Sequence, residues 1–160
     1  MEITDNWPLV KRLMRASLSS SLHCAIASVN EQGEPHVTPI GSLILDRPGH
    51  GFYFEQFTRQ MPHNFSHNRE VCVLAVNSGL WYWLKSLLGG RFRTPPGLRL
   101  VGTVGEARDA TDQEISRWQR RVRSVRFTRG HALMWRNMKR VREIHFQRIE
   151  TLEVGVMTQA

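Results

Sequence analysis

The segment at residues 22–41 constrains the fold most, because it contains two strand-like stretches joined by a tight turn. The first stretch is rich in small and β-branched residues, and the turn Asn-Glu-Gln-Gly has hairpin composition. Pro35 and Pro39 follow, and a proline cannot donate a hydrogen bond to a neighbouring strand. The second strand is therefore predicted to lie at a sheet edge or to contain a bulge. His36 and Thr38 then face outward, where they suit a ligand better than a core.

Length and composition predict one soluble domain over residues 1–160. With 41% hydrophobic and 22% charged residues, such a chain buries roughly two thirds of the surface that its unfolded form exposes. Its longest uncharged apolar stretch, residues 71–84, is shorter than the roughly 18 residues that a membrane span needs. The N-terminus lacks signal-peptide character, and Cys24 and Cys72 show no paired spacing. We therefore expect a cytoplasmic protein with reduced cysteines.

Most of the net charge of +8 comes from one basic segment, residues 117–142. This segment contains ten Lys or Arg residues and no Asp or Glu, whereas the rest of the chain has twelve basic and fourteen acidic residues. Three interpretations follow, favoured in this order: a solvated helix face, a basic rim that attracts an anionic ligand, and a nucleic-acid surface. Nucleic acid is therefore not the expected partner.

Hydrophobic periodicity predicts a mainly β chain with helical insertions near residues 79–97 and 111–140. A first helix is expected to be capped by Asp5 or Asn6, with Pro8 in its first turn. A capping box at Thr111 begins a later helix. Strands are predicted over residues 22–29, 36–46, 51–56, 71–77 (buried on both faces), 98–107 and 141–156, and further helices over residues 59–68, 80–88 and 131–140.

An apolar cluster at residues 81–88 has several possible environments. Packing in the core or across a dimer is favoured for it, ahead of a role as a pocket lid or contact with a membrane interface. His63 and His67 share a helix face, but no third ligand stands at suitable spacing, so no metal site is predicted. No catalytic acid–base pair can be identified from spacing.

The order of these motifs resembles the FMN-binding split barrel of the pyridoxamine 5'-phosphate oxidase-like family. The resemblance implies a six-stranded antiparallel split β-barrel, a homodimer with flavin at the subunit interface, and a redox reaction on a small-molecule substrate. It covers residues 22–77 best. The matching residues are Asn30, Gly33, Pro35, Pro39, Phe52, Tyr53, Thr58, Arg59, Asn64, Phe65, Asn68 and Val71.

The resemblance also implies which residues bind FMN. Thr58 and Arg59 would offer a hydroxyl, a guanidinium and free backbone N–H groups to the phosphate. Asn64 would order this loop. Gln60 and Thr38 stand where characterised oxidases often carry basic residues for the phosphate, and a contribution from an arginine of the basic segment stays open. The strand beside the isoalloxazine ring would contain His36, Thr38, Pro39, Ile40 and Gly41.

Four alternatives to an FMN oxidoreductase stay open from the sequence. Within the same fold these are a deazaflavin-dependent reductase, a haem-handling protein, and a binding protein that has lost its cofactor. In a different class, a basic β-barrel would bind nucleic acid through residues 117–142.

Overall fold

The computed structural model describes residues 2–159 and contains one seven-stranded sheet and four α-helices. All strand pairings are antiparallel, which confirms the predicted mainly β architecture with helical insertions. The strand order is β2-β1-β5-β6-β7-β4-β3. The strands are β1 (Cys24–Val29), β2 (Pro35–Ile40), β3 (Ile44–Leu45), β4 (His50–Phe54), β5 (Glu70–Val76), β6 (Gly97–Asp109) and β7 (Arg140–Thr151).

The predicted count of six strands is wrong, because the strand expected over residues 36–46 is interrupted. Its first half is β2, which pairs with β1, and its second half is β3, which pairs with β4. At the interruption, the backbone N–H of Phe54 donates to the Ser42 hydroxyl at 3.1 Å. β2 and β3 form the two edges of the sheet, yet only residues 41–43 separate them in sequence. The sheet must therefore curl until its edges approach each other, without closing into a barrel.

The hairpin and its edge strand agree with the sequence prediction. Gly33 has φ +82°, and the backbone N–H of Asn30 donates to the carbonyl of Glu34 at 3.0 Å to close the turn. β2 lies at one edge of the sheet, where the missing N–H groups of Pro35 and Pro39 break no ladder on the outer side.

Helix α1 (Ile3–Ser21) covers the main core. Its buried face includes Trp7, Val10 and Met14, which pack in one cluster with side chains of β1, β5, β6 and β7. The predicted start of this helix is wrong: it begins at Ile3, so Pro8 lies inside it, and no side chain caps its N-terminus.

A second, smaller core lies beneath helix α4 (Asp112–Arg121). Trp118 and Val122 pack there against Phe52, Phe54 and Val141 of the sheet. The predicted capping box begins this helix: the Thr111 hydroxyl accepts from the N–H of Glu114 at 3.2 Å, and the Glu114 carboxylate accepts from the N–H of Thr111 at 2.9 Å.

Two further predictions are wrong. β5 alternates between buried and partly exposed residues, so only one of its faces is fully buried, as in an antiparallel sheet that covers a core on one side. The helix expected over residues 131–140 is reduced to a single wide turn, His131–Trp135. The remaining helices are α2 (Gln60–His67) and α3 (Leu80–Leu88). Within residues 2–159, no helix has both the length and the apolar character for crossing a bilayer.

Candidate functional site

A groove of about 1400 Å³ lies where the two edges of the curled sheet approach each other. One wall is the connection from β2 to β3, and the opposite wall comprises the loop before α2 and the first residues of that helix. Side chains of α1 and α4 form the rim. The interruption of the predicted strand, residues 41–43, thus forms part of the lining of this groove.

Most residues that the sequence predicted for cofactor binding line this groove. Thr38, Pro39, Ile40 and Gly41 stand on one wall, and Thr58, Arg59 and Gln60 on the other. His36 and Asn64 do not line it. His36 is half-buried at the opposite end of β2, paired with Ser28. The curl of the sheet therefore brings together two segments that are separated along the chain by the hairpin of β3 and β4.

Thr58 has an unusual environment in the groove wall. Its hydroxyl oxygen is buried and has no hydrogen-bond partner within residues 2–159. It stands immediately before the N-terminus of α2, where no side chain caps the free backbone N–H groups. The neighbouring Arg59 side chain is exposed and forms no ion pair in the described part of the chain. Residues 58–61 therefore offer a hydroxyl, backbone N–H groups that no side chain caps and an exposed guanidinium, which are donors that an oxyanion ligand uses.

Asn64 is fully buried and positions the start of α2 from behind. Its side-chain N–H donates to the Ser28 hydroxyl of β1 at 2.9 Å, and its carbonyl oxygen accepts from the Gln60 amide at 2.9 Å. These contacts attach α2 to the sheet and hold Gln60 at the groove. The geometry thus gives Asn64 a positioning role and no contact with the groove interior.

Arginines of α4 border the same groove, and sequence reasoning did not name them individually. Nη1 of Arg121 donates to the carbonyl of Leu43 at 2.6 Å, and Nη2 of Arg117 donates to that of Leu45 at 2.9 Å. Desolvation lowers the pKa of Arg121, and the charge of Arg117 adds to this effect. Arg121 thus fixes the β2–β3 connection against α4, and Arg117 fixes β3. The run of basic residues in the sequence indicated that arginines could be near the ligand. It did not indicate which arginines face the groove.

The rim of the groove has one sign of charge. Lys11 and Arg15 of α1 and Arg120 of α4 line it and have no ion-pair partner in residues 2–159. No Asp or Glu side chain lines the groove in this described range. The lining favours an anionic ligand over a cationic one, because charges of one sign at a concave surface focus their field there.

The floor of the groove is apolar and aromatic. Phe54 and Trp118 pack with ring centroids 5.8 Å apart, and Trp135 meets Trp118 edge-on at 6.1 Å. Phe57, 58% exposed, adds an aromatic ring beside Thr58, and Met134 adds an exposed thioether. The groove is therefore complementary to a flat aromatic molecule with an anionic end: the floor suits the aromatic part, and the basic rim suits the anionic part.

Comparison with known families is consistent with this geometry. The family model described as pyridoxamine 5'-phosphate oxidase matches residues 10–153. The chain belongs to the pyridoxamine 5'-phosphate oxidase family. The matched region includes both groove walls and the basic rim, so the groove is part of the family's common domain. No curated protein matches the chain.

Several solved structures share the fold of this chain at low sequence identity. An FMN-binding protein from Syntrophomonas wolfei is 10% identical with a TM-score of 0.62, covering 94% of this chain and 90% of its own. HutZ, the heme storage protein from Vibrio cholerae, is 13% identical with a TM-score of 0.60, covering 98% and 99%. An F420 reductase is 13% identical with a TM-score of 0.55, covering 85% and 94%. The family domain of this chain is therefore a split-barrel fold found among proteins with different named ligands.

Proposed function

We propose that this member of the pyridoxamine 5'-phosphate oxidase family is an FMN-dependent oxidoreductase with its flavin in the β2–β3 groove. The observation that carries the proposal is the buried, unpartnered hydroxyl of Thr58 beside the uncapped start of α2. A buried hydroxyl without a partner costs free energy, and a phosphate oxygen placed beside it would remove that cost. FMN has such a phosphate.

The phosphate end of FMN is assigned to Thr58, Arg59 and the free N–H groups of Gln60 and Met61. A phosphate with close to two negative charges is held best by several fixed donors, including a guanidinium. Asn64 supports this end because its contacts with Ser28 and Gln60 fix the helix start. The chain thus offers a hydroxyl, a cation and backbone donors within one helical turn.

The ring end of FMN is assigned to the wall formed by Thr38, Pro39, Ile40 and Gly41. β2 is an edge strand, so its outer backbone groups are available to the polar edge of the ring. The backbone at Gly41 lies close to the backbone at Leu22. A Cβ atom at position 41 would lie only 2.9 Å from the carbonyl oxygen of Leu22, so a residue without a side chain fits best there. When bound, FMN supplies the hydride chemistry, and the protein supplies its position and electrostatic environment.

The proposed assembly is a homodimer in which a partner subunit covers the open side of the groove. Two exposed apolar side chains on or near the walls support this proposal: Val37 on the edge strand is 67% exposed and Phe57 is 58% exposed. A partner that covers these side chains would also exclude water from the ring. The cations of Lys11, Arg15 and Arg120 would remain at the rim to attract a small anionic substrate.

Deazaflavin and haem are the alternative ligands, because the structural neighbours include an F420 reductase and a heme storage protein. Haem iron is most often held by His, Cys or Tyr, alone or with Met. Among residues 2–159, the groove lining contains methionines such as Met134 but no His, Cys or Tyr. The groove walls therefore favour a flavin-type ligand, and a deazaflavin is the second candidate.

Flavin titration tests the proposal, with riboflavin as the matched ligand that lacks the phosphate. We expect apo protein to bind FMN more tightly than riboflavin, with about tenfold or greater discrimination, equivalent to about 1.4 kcal/mol. Arg59→Ala should reduce FMN affinity and leave riboflavin affinity unchanged. The control is Arg126→Ala, because Arg126 is an exposed arginine of the basic segment outside the groove.

The outcomes separate the candidates. FMN binding that Arg59→Ala weakens and Arg126→Ala does not would support the proposal and justify a substrate screen with anionic compounds. Binding of a deazaflavin in preference to FMN would identify the deazaflavin as the ligand of the groove and contradict the assignment of FMN. Absence of any flavin signal, or equal affinity for FMN and riboflavin, would overturn the assignment of the phosphate to Thr58 and Arg59.

A further inference from the structure

Helix α3 presents an apolar face to solvent on a part of the molecule that the flavin groove does not use. Leu80, Trp81, Leu87 and Leu88 are 78%, 70%, 61% and 82% exposed, and Leu84 lies between them on the same face. These five positions follow the i, i+1, i+4, i+7, i+8 pattern of one helical stripe. Contiguous exposed apolar side chains of this size mark interaction surfaces.

Core packing, one half of the favoured interpretation of the cluster at residues 81–88, is therefore wrong for Trp81, Leu84, Leu87 and Leu88, and packing across a dimer stays a prediction. Only two aromatic residues of α3 face the protein, and they fix the helix. The Tyr82 hydroxyl donates to the carbonyl of Thr94 at 2.6 Å, and Nε1 of Trp83 donates to the carbonyl of Asn77 at 2.6 Å. The Trp83 ring also packs edge-on against buried Phe92 at 5.2 Å. The helix is thus held with its apolar stripe outward.

Cations lie beside the stripe, on a segment of the chain that has no acidic residue. Residues 71–105 contain no Asp or Glu. Lys85, Arg91 and Arg93 are exposed and, with Leu88, line a shallow cleft of about 640 Å³ beside α3. None of the three cations forms an ion pair within the described part of the chain.

The C-terminal segment extends this surface. The backbone N–H of Phe92 donates to the carbonyl of Met157 at 2.8 Å, which attaches the turn Gly155–Met157 to the loop after α3. Val156, in this turn, is 80% exposed. The apolar surface therefore comprises α3 and Val156, and we refer to it, together with its three cations, as the α3 surface.

We propose that the α3 surface binds peripherally to anionic lipid membranes. An apolar stripe that includes a tryptophan suits the boundary between headgroups and acyl chains, and adjacent Lys and Arg residues attract anionic headgroups. Charge complementarity selects the lipid over a second copy of this chain. A two-fold contact would place Lys85, Arg91 and Arg93 of both copies together, and residues 71–105 supply no acidic side chain to neutralise them.

Vesicle co-sedimentation of the full chain tests this proposal. We expect binding to vesicles of phosphatidylcholine with phosphatidylglycerol, and at least about tenfold weaker binding to phosphatidylcholine alone. The double variant Trp81→Ser/Leu88→Ser should reduce binding about tenfold or more, because two large apolar side chains no longer insert. The control is Phe127→Ser, which removes a side chain that is 88% exposed outside the α3 surface.

Two further measurements identify the cause of binding. Lys85→Glu/Arg91→Glu should abolish the preference for anionic vesicles. The tryptophan emission of the wild type should shift to shorter wavelength with vesicles, and Trp81→Phe should remove most of that shift, because Trp81 is the exposed tryptophan of the surface. The loss of vesicle binding, the loss of anionic preference and the change in tryptophan emission do not depend on flavin. These results can therefore hold even if the groove proves not to bind FMN.

Three results would overturn the proposal. The first is absence of binding to anionic vesicles at low ionic strength. The second is equal binding by wild type and Trp81→Ser/Leu88→Ser. The third is concentration-dependent self-association in light scattering that the same double variant abolishes, which would assign the α3 surface to a second copy of the chain.

Discussion

Arg142 and Glu55 form a two-point ion pair in the interior of the protein. Nε and Nη2 of Arg142 donate to the two carboxylate oxygens of Glu55 at 2.6 and 2.7 Å, and the side chains are 9% and 5% exposed. The Tyr53 hydroxyl donates to the same carboxylate at 2.6 Å, and burial raises the pKa of this tyrosine. Arg142 belongs to the basic segment, but its side chain is buried in an ion pair. The basic segment is therefore not one continuous functional surface.

Arg142→Ala should destabilise the protein by about 3–5 kcal/mol, because it leaves the Glu55 carboxylate buried without its cation. Arg140→Ala is the matched control on the same strand: Arg140 lies 3.8 Å from Asp109, and both side chains are largely exposed. We expect that control to cost less than about 1 kcal/mol. Urea unfolding measures both free energies, and equal losses would contradict the structural importance of the buried pair.

Thr58→Val should separate ligand binding from stability. Valine has nearly the same shape as threonine but lacks the hydroxyl, which has no partner in residues 2–159. The free energy of unfolding of the apo protein should therefore stay the same or rise by about 1 kcal/mol. FMN affinity should fall about tenfold, since a hydrogen bond to a charged group contributes roughly 1.5 kcal/mol or more. A clear loss of apo stability would indicate that the hydroxyl has a structural partner instead.

Glu114 should make folding sensitive to acid. Its hydrogen bonds from Arg108, at 2.6 and 2.9 Å, together with the capping N–H of Thr111, hold its pKa below the ordinary value of 4.5. A lowered folded-state pKa means that the stabilisation is present above the unfolded-state pKa. It is then lost as pH falls through the lowered folded-state value.

Glu114→Gln should therefore reduce stability by about 1–2 kcal/mol near neutral pH, and the difference from wild type should shrink as the solution is acidified below the ordinary carboxyl pKa. Thermal unfolding across acidic pH measures this. Glu153→Gln is the control, because Glu153 is exposed and has no ion-pair partner in the described chain. A difference between Glu114→Gln and wild type that does not depend on pH would argue against the carboxylate as its source.

Gly102 and Gly105 should respond very differently to alanine, although both lie in β6. A Cβ atom at position 102 would overlap the carbonyl oxygen of His145, next to the irregular pairing of β6 with β7. A Cβ atom at position 105 would meet only the Glu143 Cβ at 4.0 Å. We expect Gly102→Ala to cost about 3 kcal/mol and Gly105→Ala less than about 1 kcal/mol in chemical unfolding. Similar costs would show that β6 and β7 can separate locally.

The features that the sequence determined by itself are local ones. The side-chain carbonyl of Asn30 accepts from the N–H groups of Gln32 and Glu34, and Gly33 takes positive φ, so the turn forms from its own residues. The capping box at Thr111 is satisfied within one turn of helix. Such elements could be predicted because the partners of each hydrogen bond are neighbours in the chain.

Tertiary structure decided which of these elements meet. Residues 36–46 are apolar enough for one strand, but their first half pairs with β1 and their second half with β4, which divides them into β2 and β3. That division curls the sheet and opens the groove beside Thr58. The tertiary structure also places Arg120 at the groove rim and Arg142 in a buried pair, although both belong to one basic run. Charge and hydrophobicity along a chain do not specify burial, because burial depends on contacts between segments that are distant in sequence.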